Sequence, residues 1–378
     1  MELELGSILT YHKIIAAMSK VLTPYLRKLV DNPASFSVGD FAAALRLVFQ
    51  GQTNDIELAS LLTALRIRGL DFDSEYIATA VETILQFSDV IPGHTVDPDG
   101  YIDVVGTGGD GQNTFNVSTS AAIVGAGMGL KVSKHGGKAS TSTSGAGDLM
   151  TNLGVKLHKV DSKSVPGIVA SSRLCFLFAP AFHHGMAKVA PVRASLGIPT
   201  IFNILGPLLN PIPIKARILG VYTEALGKIY CEAAVKLDRK SGRKPAETMV
   251  VFGEVVLDEI APVGATKVWR YNRETDQIDE FKLHPADFGL PEHPLEVVRS
   301  GTPKENAELL TKILNNEVDL SPGAHPVVDY ILMNTGALAV VGGLASSWKE
   351  GTELARKSVS SGAAKQALDN FVKAVNDI

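Results

Sequence analysis

The chain has 378 residues, a net charge of −4, and 45% apolar and 20% charged residues. That balance is globular and longer than one compact core usually organises, so two domains are expected; it excludes a disordered chain and a basic nucleic-acid binder. Cys175 and Cys231 are far apart in the sequence, which excludes a disulfide framework or a thiolate zinc site and fits a reducing compartment.

The opening MELELGSILTYHKIIAAM places two acids before any apolar run and reads neither as a secretory signal nor as a transit peptide. Apolar residues then recur at helical spacing. One run is Ile14, Met18, Leu22, Tyr25, Leu26, Leu29, and a second is Phe41, Ala44, Leu45, Leu47, Val48. A third is Ile56, Leu58, Leu61, Leu62, Leu65, and Ser74 to Phe87 supplies a fourth helix. Ser37 is the expected cap of the second helix and Gly51 its stop, while Gly69 ends the third. Exposed Ile8, Leu9 and Ile14 point to a dimer surface on these N-terminal helices.

At Ile91-Pro92-Gly93 the composition shifts. The runs IDVV, LKVS, TMVVFG and TKVWRY alternate with Ala-rich stretches, the pattern of an α/β sheet domain. Ala187 to Leu209 returns to helical character. The expected division is a helical domain over 1–92, with 187–212 packing back on it, and an α/β domain over 93–186 and 213–378. The most apolar stretch, Ile198 to Ile214, is broken by Pro199, Pro207, Pro211 and Pro213, whereas a membrane span needs roughly 20 uninterrupted apolar residues. A soluble, cytoplasmic protein with no membrane or nucleic-acid partner is expected.

The strand at Tyr101 to Val105 runs into GTGGDG, Gly106 to Gly111, which satisfies the dinucleotide pattern G-x-G-x-x-G. The rest of that pattern is missing. Gly111 is followed by QNTFNVSTSAA, a poor continuation of a helix, and the next strand ends in Lys134 and His135 where an acid belongs. What the segment offers is a glycine turn with free amides before a helix expected to begin near Ser118, whose hydroxyl caps it. Amides and helix dipole together favour a phosphate or diphosphate. KHGGKASTSTSGAGD, Lys134 to Asp148, adds two lysines, one histidine and five hydroxyls in what reads as a flexible loop at a second strand end. Ligands of open α/β sheets sit at such ends. An acidic turn around Asp110 and a basic loop could grip a polyphosphorylated ligand from two sides; a solvated loop that binds nothing is the alternative.

These segments, with FLFAPAFHHGMAKVAPVRASLGIPTIFNILGPLLNP and VVLDEIAPVG, resemble the anthranilate phosphoribosyltransferase family. The match runs in order from Ala64 through DYILMNTGALAVVGG near the C-terminus. It implies the nucleoside phosphorylase/phosphoribosyltransferase fold: a small, discontinuous all-helical domain and a larger α/β domain with a central, mostly parallel sheet. It also implies Mg²⁺, a homodimer, and transfer of phosphoribosyl from 5-phosphoribosyl 1-diphosphate (PRPP) to the amine of anthranilate in tryptophan biosynthesis. By matching position, Gly106, Thr107, Gly108, Gly109, Asp110, Thr114, Asn116, Val117, Ser118 and Thr119 fall to PRPP. So do Lys134, Gly136, Gly137, Lys138, Ala139, Ser140, Thr141 and Ser142. Ser118, Asp258 and Glu259 match the metal ligands, and Lys134 joins the two acids as catalytic. Neighbouring acids on a regular strand face opposite ways, so Asp258 and Glu259 can serve one metal cluster only from a turn. Gly106, His135, Gly137, His183 and Arg193 fall in the anthranilate site, where a planar, bidentate arginine suits a carboxylate. His184 receives no role, and neither histidine of that pair a catalytic one.

Where the bacterial pattern reads KHGNR this chain reads KHGGK, so a contact from Gly137 must use backbone and Lys138 keeps the charge without the fork. Ala146 likewise lacks the hydroxyl of the S-G-S-A-D pattern. These departures resemble the fungal form of the family. Two other readings share the fold. A pyrimidine nucleoside phosphorylase has a longer C-terminal domain and a different glycine signature, and a non-catalytic regulator is expected to lose the metal acids or the lysine loop.

Overall fold

The structure, a computed structural model, describes residues 20–138 and 143–378. Ile8, Leu9, Ile14 and Met18, and the PRPP candidates Ala139, Ser140, Thr141 and Ser142, lie outside the described residues. The N-terminal helices are Thr23–Asp31, Val38–Phe49, Asp55–Ile67 and Ser74–Leu85. Ser37 caps the second as expected. Its hydroxyl accepts the Asp40 N–H while the Asp40 carboxylate accepts the Ser37 N–H, a reciprocal box that satisfies two otherwise orphaned donors. The fourth ends at Leu85, two residues short of the expected Phe87, and is capped by Asp73.

Among the described residues seven strands form one sheet: β1 (Tyr101–Gly106), β2 (Val132–Gly136), β3 (Leu174–Phe178), β4 (Ile214–Gly220), β5 (Glu247–Gly253), β6 (Thr266–Asn272) and β7 (Gln277–Leu283). Their order is β3-β2-β1-β4-β5-β6-β7. The first five run parallel, and β6 and β7 return antiparallel. The four β-branched runs read from the sequence are β1, β2, β5 and β6. The other three strands escaped that search for physical reasons. LCFLF in β3 has no β-branched residue, and β7 is an edge strand rich in exposed polar side chains. In β4 a buried arginine breaks the apolar pattern, and Arg217 is tolerated because Asp238 at 2.5 Å and Thr248 at 2.9 Å take its donors.

Alternation along the strands divides the interior. Ile218, Met249, Val251 and Val268 join a core with the helices Val117–Gly127, Pro326–Val341 and Ala363–Asn376. Leu219, Val250, Phe252 and Trp269 face the opposite way, into a core shared with the N-terminal helices and the Gly227–Lys240 helix. Val189, Val192, Phe202 and Leu205 belong to this second core, so the stretch around the short helix Ala190–Leu196 packs where the N-terminal helices pack. Among the described residues no helix is long and apolar enough to cross a membrane.

Candidate active site

The glycine turn leaves β1 at its carboxyl end, and the turn carrying Asp258 and Glu259 follows β5. Two glycines let them meet. A Cβ on Gly106 would stand 2.2 Å from Asp258 Oδ2, and one on Gly220, at the end of β4, 1.5 Å from the Asp258 carbonyl oxygen. Any side chain there would push the acid turn off the sheet. Seated so, the Asp258 carboxylate accepts the Gly108 N–H at 2.6 Å, and the Asp258 N–H faces Asp110 Oδ2 at 3.4 Å. The Ser118 hydroxyl faces Glu259 and helps hold its pKa down. Both acids do lie in a turn, not on a strand.

Electrostatics in this cluster are unbalanced. Burial pushes the Asp258 carboxyl well above its ordinary value, and Glu259 and Asp110 push it further. Burial also lifts Glu259 to about 7, against the pull of Lys134 and Ser118. Lys134 is itself 2% exposed and donates to the Val104 carbonyl at 2.5 Å; burial lowers its pKa against the fields of Asp103, Glu259 and Asp258. Crowded carboxylates with a single buried ammonium favour a further cation. Two acids and a hydroxyl form an all-oxygen donor set, the hard ligands that Mg²⁺ takes. Among the described residues no three His, Cys, Asp or Glu side chains make a closed metal cage. An open set is what Mg²⁺ uses when substrate phosphates complete its shell. The residues present therefore fit the ion.

Two sequence expectations are corrected here. Lys134, His135 and Gly136 close β2, with the lysine buried near Asp103 and the acid turn, so the loop expected from Lys134 starts only after Gly136. The helix after the glycine turn starts at Val117 with Asn116 at its cap position, so Ser118 sits inside the first turn, beside Glu259 rather than at the cap.

The other PRPP candidates are distributed around this centre. Gly108, Gly109 and Gly111 hold φ of +69°, +84° and +74°, a left-handed path that L side chains resist by roughly 1–2 kcal/mol each. The Thr107 N–H donates to the Gly220 carbonyl at 2.9 Å, and Thr114 pairs through its backbone with Arg299. Asn116 ties the turn to the basic segment: its Nδ2 donates to the Ser144 carbonyl at 2.8 Å while its Oδ1 accepts from Asn306 at 3.1 Å. Val117 and Thr119 are buried, and Thr119 Oγ1 has no partner among the described residues. Gly136 lies against Ala146 and Phe176. Lys138 is exposed and lines a separate cleft with Lys156, His158 and Phe178.

Beside this charged centre lies a cavity of about 580 Å³, walled by Ala179, Pro180, Met186, Phe202 and Leu209 and lined also by His135, Gly137, His183 and Arg193. Arg193 Nε is buried with no hydrogen-bond partner among the described residues, and its guanidinium lies 5.8 Å from the Phe202 ring centroid. Burial lowers its pKa, yet a guanidinium stays charged in proteins. A half-buried guanidinium with an unpaired Nε, in a largely apolar cavity, suits an anion. The histidines supply none and compete with none. His135 Nδ1 stands 3.1 Å from the Gly206 carbonyl, which only accepts, so that nitrogen carries the proton and Nε2 is left to accept from His183 Nε2 at 3.0 Å. Burial holds His135 well below its ordinary value and His183 at about 4, so the pair is neutral. His184 is exposed, 3.2 Å from Asp89. A Cβ on Gly137 would meet nothing within 4 Å.

Sequence reading passed over Asp103. It is 1% exposed in β1 and accepts from Asn210 at 2.7 Å, from Val104 N at 2.8 Å and from His135 N at 3.3 Å, while burial lifts it to about 6. An acid inside the apolar run IDVV was the available signal, since a buried charge requires partners. Tyr330, buried beneath the acid turn and pushed well above 10 by burial and Glu259, left no local signal.

The α/β domain of the glycosyl transferase family matches residues 99–365, and the helical bundle domain of that family matches residues 23–88. The chain is similar to the anthranilate phosphoribosyltransferase of Saccharomyces cerevisiae, at 43% identity over 94% of this chain and 99% of the relative. A solved structure of the S. cerevisiae enzyme in complex with PRPP and Mg has a TM-score of 0.87 at 43% identity, covering 96% of this chain and 99% of that one. Another, in complex with 4-fluoroanthranilate, has a TM-score of 0.86 at 40% identity over the same shares.

Proposed function

The chain belongs to the anthranilate phosphoribosyltransferases of the glycosyl transferase family, and from that premise we propose the reaction it performs. It is an enzyme that transfers the phosphoribosyl group of PRPP to the amine of anthranilate, giving N-(5-phosphoribosyl)anthranilate and diphosphate in tryptophan biosynthesis. One observation carries the reading: an acid-lined glycine turn and an apolar cavity with an unpaired arginine donor meet at the ends of neighbouring strands.

In the reaction the bond from C1′ to diphosphate breaks, the bond from C1′ to nitrogen forms, and the amine loses a proton. Asp258, Glu259 and Ser118 would hold Mg²⁺, which would supply positive charge to offset the charge that gathers on the leaving oxygens. Amides of the glycine turn and the N-terminus of the Val117–Gly127 helix orient the phosphates. Lys134 balances the acids from beneath. The Arg193 fork grips the anthranilate carboxylate, which directs the ortho amine toward C1′. At Gly137 only backbone is offered to the acceptor. Gly106, Thr107, Thr114, Asn116, Val117, Thr119, Gly136, Lys138 and the segment 139–142 complete the proposed PRPP contacts.

A cytoplasmic homodimer through the helical region belongs to the same proposal, supported by exposed Val30, Ile56 and Ile67 on the Thr23–Asp31 and Asp55–Ile67 helices. The assay follows anthranilate fluorescence. It should disappear only when PRPP and Mg²⁺ are both present. Loss of signal without the metal, or turnover of a nucleoside with phosphate instead, contradicts the reading.

A further inference from the structure

The acid turn is fixed by its backbone at four successive points. Leu257 exchanges hydrogen bonds with Gly253 at 2.8 and 3.1 Å, the Ala261 N–H donates to Thr266 Oγ1 at 2.9 Å, and the Pro262 carbonyl accepts the His293 N–H at 2.8 Å. Between them stands Ile260, the residue directly after Glu259. Both of its polar backbone atoms are taken by one side chain. Asn334 Oδ1 accepts the Ile260 N–H and Asn334 Nδ2 donates to the Ile260 carbonyl, each at 3.2 Å, with a further bond to the Tyr330 carbonyl at 3.1 Å. Asn334 is 2% exposed, on the Pro326–Val341 helix. It lies one turn beyond Tyr330, so the two stack on one helix face against the acids.

A side-chain amide that pairs with both atoms of a peptide residue acts as a strand partner would: it restrains translation and rotation together. We propose that Asn334 is a positioning residue that sets where Asp258 and Glu259 present their carboxylates to Mg²⁺. The inference rests on the reading of those acids as metal ligands. Asparagine suits the task because one short side chain supplies both a donor and an acceptor. Leucine has nearly the same shape and supplies neither, so the Ile260 peptide would be left buried and unpaired.

The test is Mn²⁺ affinity measured by electron paramagnetic resonance with PRPP present and anthranilate absent, so that no turnover enters. Asn334→Leu should weaken Mn²⁺ by about 10- to 100-fold, the usual cost of losing a partner behind the ligands. Asn334→Asp keeps the acceptor for the Ile260 N–H and should fall between, and it carries the test if the leucine variant does not fold. Thr335→Val is the control. Thr335 is buried, and among the described residues its hydroxyl donates only to the Ile331 carbonyl of its own helix, at 2.7 Å. That variant should lower Tm and keep Mn²⁺ affinity within about twofold of wild type. A folded Asn334 variant that binds Mn²⁺ like wild type overturns the inference, as does a Thr335→Val loss of equal size. Asp258→Asn with Glu259→Gln, measured alongside, separates the two claims. If that variant loses Mn²⁺ and the Asn334 variants do not, only the positioning role fails. If it binds Mn²⁺ normally, the metal reading fails and this inference with it.

Discussion

At the ends of β1, β4 and β5 the site gathers Asp110, Asp258 and Glu259 around a glycine turn, whereas beside it at the end of β2 it offers apolar walls, two neutral histidines and one arginine. The difference follows what each substrate asks of the protein. On the proposed reading, charge builds on the departing diphosphate, and the first region concentrates carboxylates, raised first by burial and then by one another, whose charge a metal ion would offset. Nothing on the acceptor's ring needs neutralising except its carboxylate. There a single cation among apolar walls acts at low dielectric, where it attracts an anion far more strongly than at the surface. Neighbouring residues of β2 serve the two regions separately: Lys134 lies under the acids and His135 lines the cavity.

The strongest way to break this contrast is to discharge the first region alone. Asp258→Asn with Glu259→Gln should cut turnover by about 10²-fold or more in steady-state assays at saturating substrates. Anthranilate binding should be untouched, and metal-free Tm should stay level or rise because two mutually repelling buried carboxylates are gone. Unchanged turnover at limiting Mg²⁺ would remove the metal from these residues.

Gly220→Ala tests whether the seat of the acid turn matters independently of its charge. A methyl group 1.5 Å from the Asp258 carbonyl oxygen forces that turn away, an overpacking that costs roughly 1–3 kcal/mol. Urea unfolding should register the loss, and the Mg²⁺ requirement should rise with it. Full stability with a normal metal requirement would show that the turn adjusts freely.

Discharging the second region is the matching experiment. Arg193→Ala should raise the anthranilate KM by about 10- to 150-fold, the value of a hydrogen bond to a charged group. Arg193→Lys, which keeps charge but not the fork, should lie between. If neither moves KM, the acceptor is recognised elsewhere in the cavity.

The smallest effect concerns the histidine pair. Burial depresses His183 from 6.5 to about 4, so between those values the unfolded chain holds a proton that the folded chain lacks. Stability contributed by the neutral ring is therefore complete above pH 6.5 and is lost as pH falls toward 4, with a slope of at most about 1.4 kcal/mol per pH unit. Comparison of Tm against pH for wild type and His183→Gln should show the steeper acid decline in wild type. Parallel curves would mean that the ring is already charged in the folded state.

Much of this contrast is legible in the sequence, wherever the signal is local. Ser37 is a cap because a serine three residues before an acid precedes an apolar run, and four strands announce themselves through β-branched residues. GTGGDG points to phosphate because the helix and acid of a dinucleotide site fail to follow. What stays hidden is what depends on distant partners. Arg217 sits inside a strand because Asp238 and Thr248 wait for it, and Lys134, at the end of β2, is buried among the fields of Asp103 and the acid turn. Asn334, 74 residues from Ile260, has no neighbour in sequence that betrays its role. Gly220 ends a strand that the β-branched pattern passes over, and only the fold sets Asp258 against it.

The separation of the two regions is tested most directly by calorimetric titration of PRPP with Mg²⁺ into Arg193→Ala. Because Arg193 is assigned no phosphate contact, the Kd should stay within about twofold of wild type, the additivity expected of independent sites. A loss of about tenfold or more would mean that Arg193 serves the diphosphate as well, and that donor and acceptor are not recognised by separate parts of this chain.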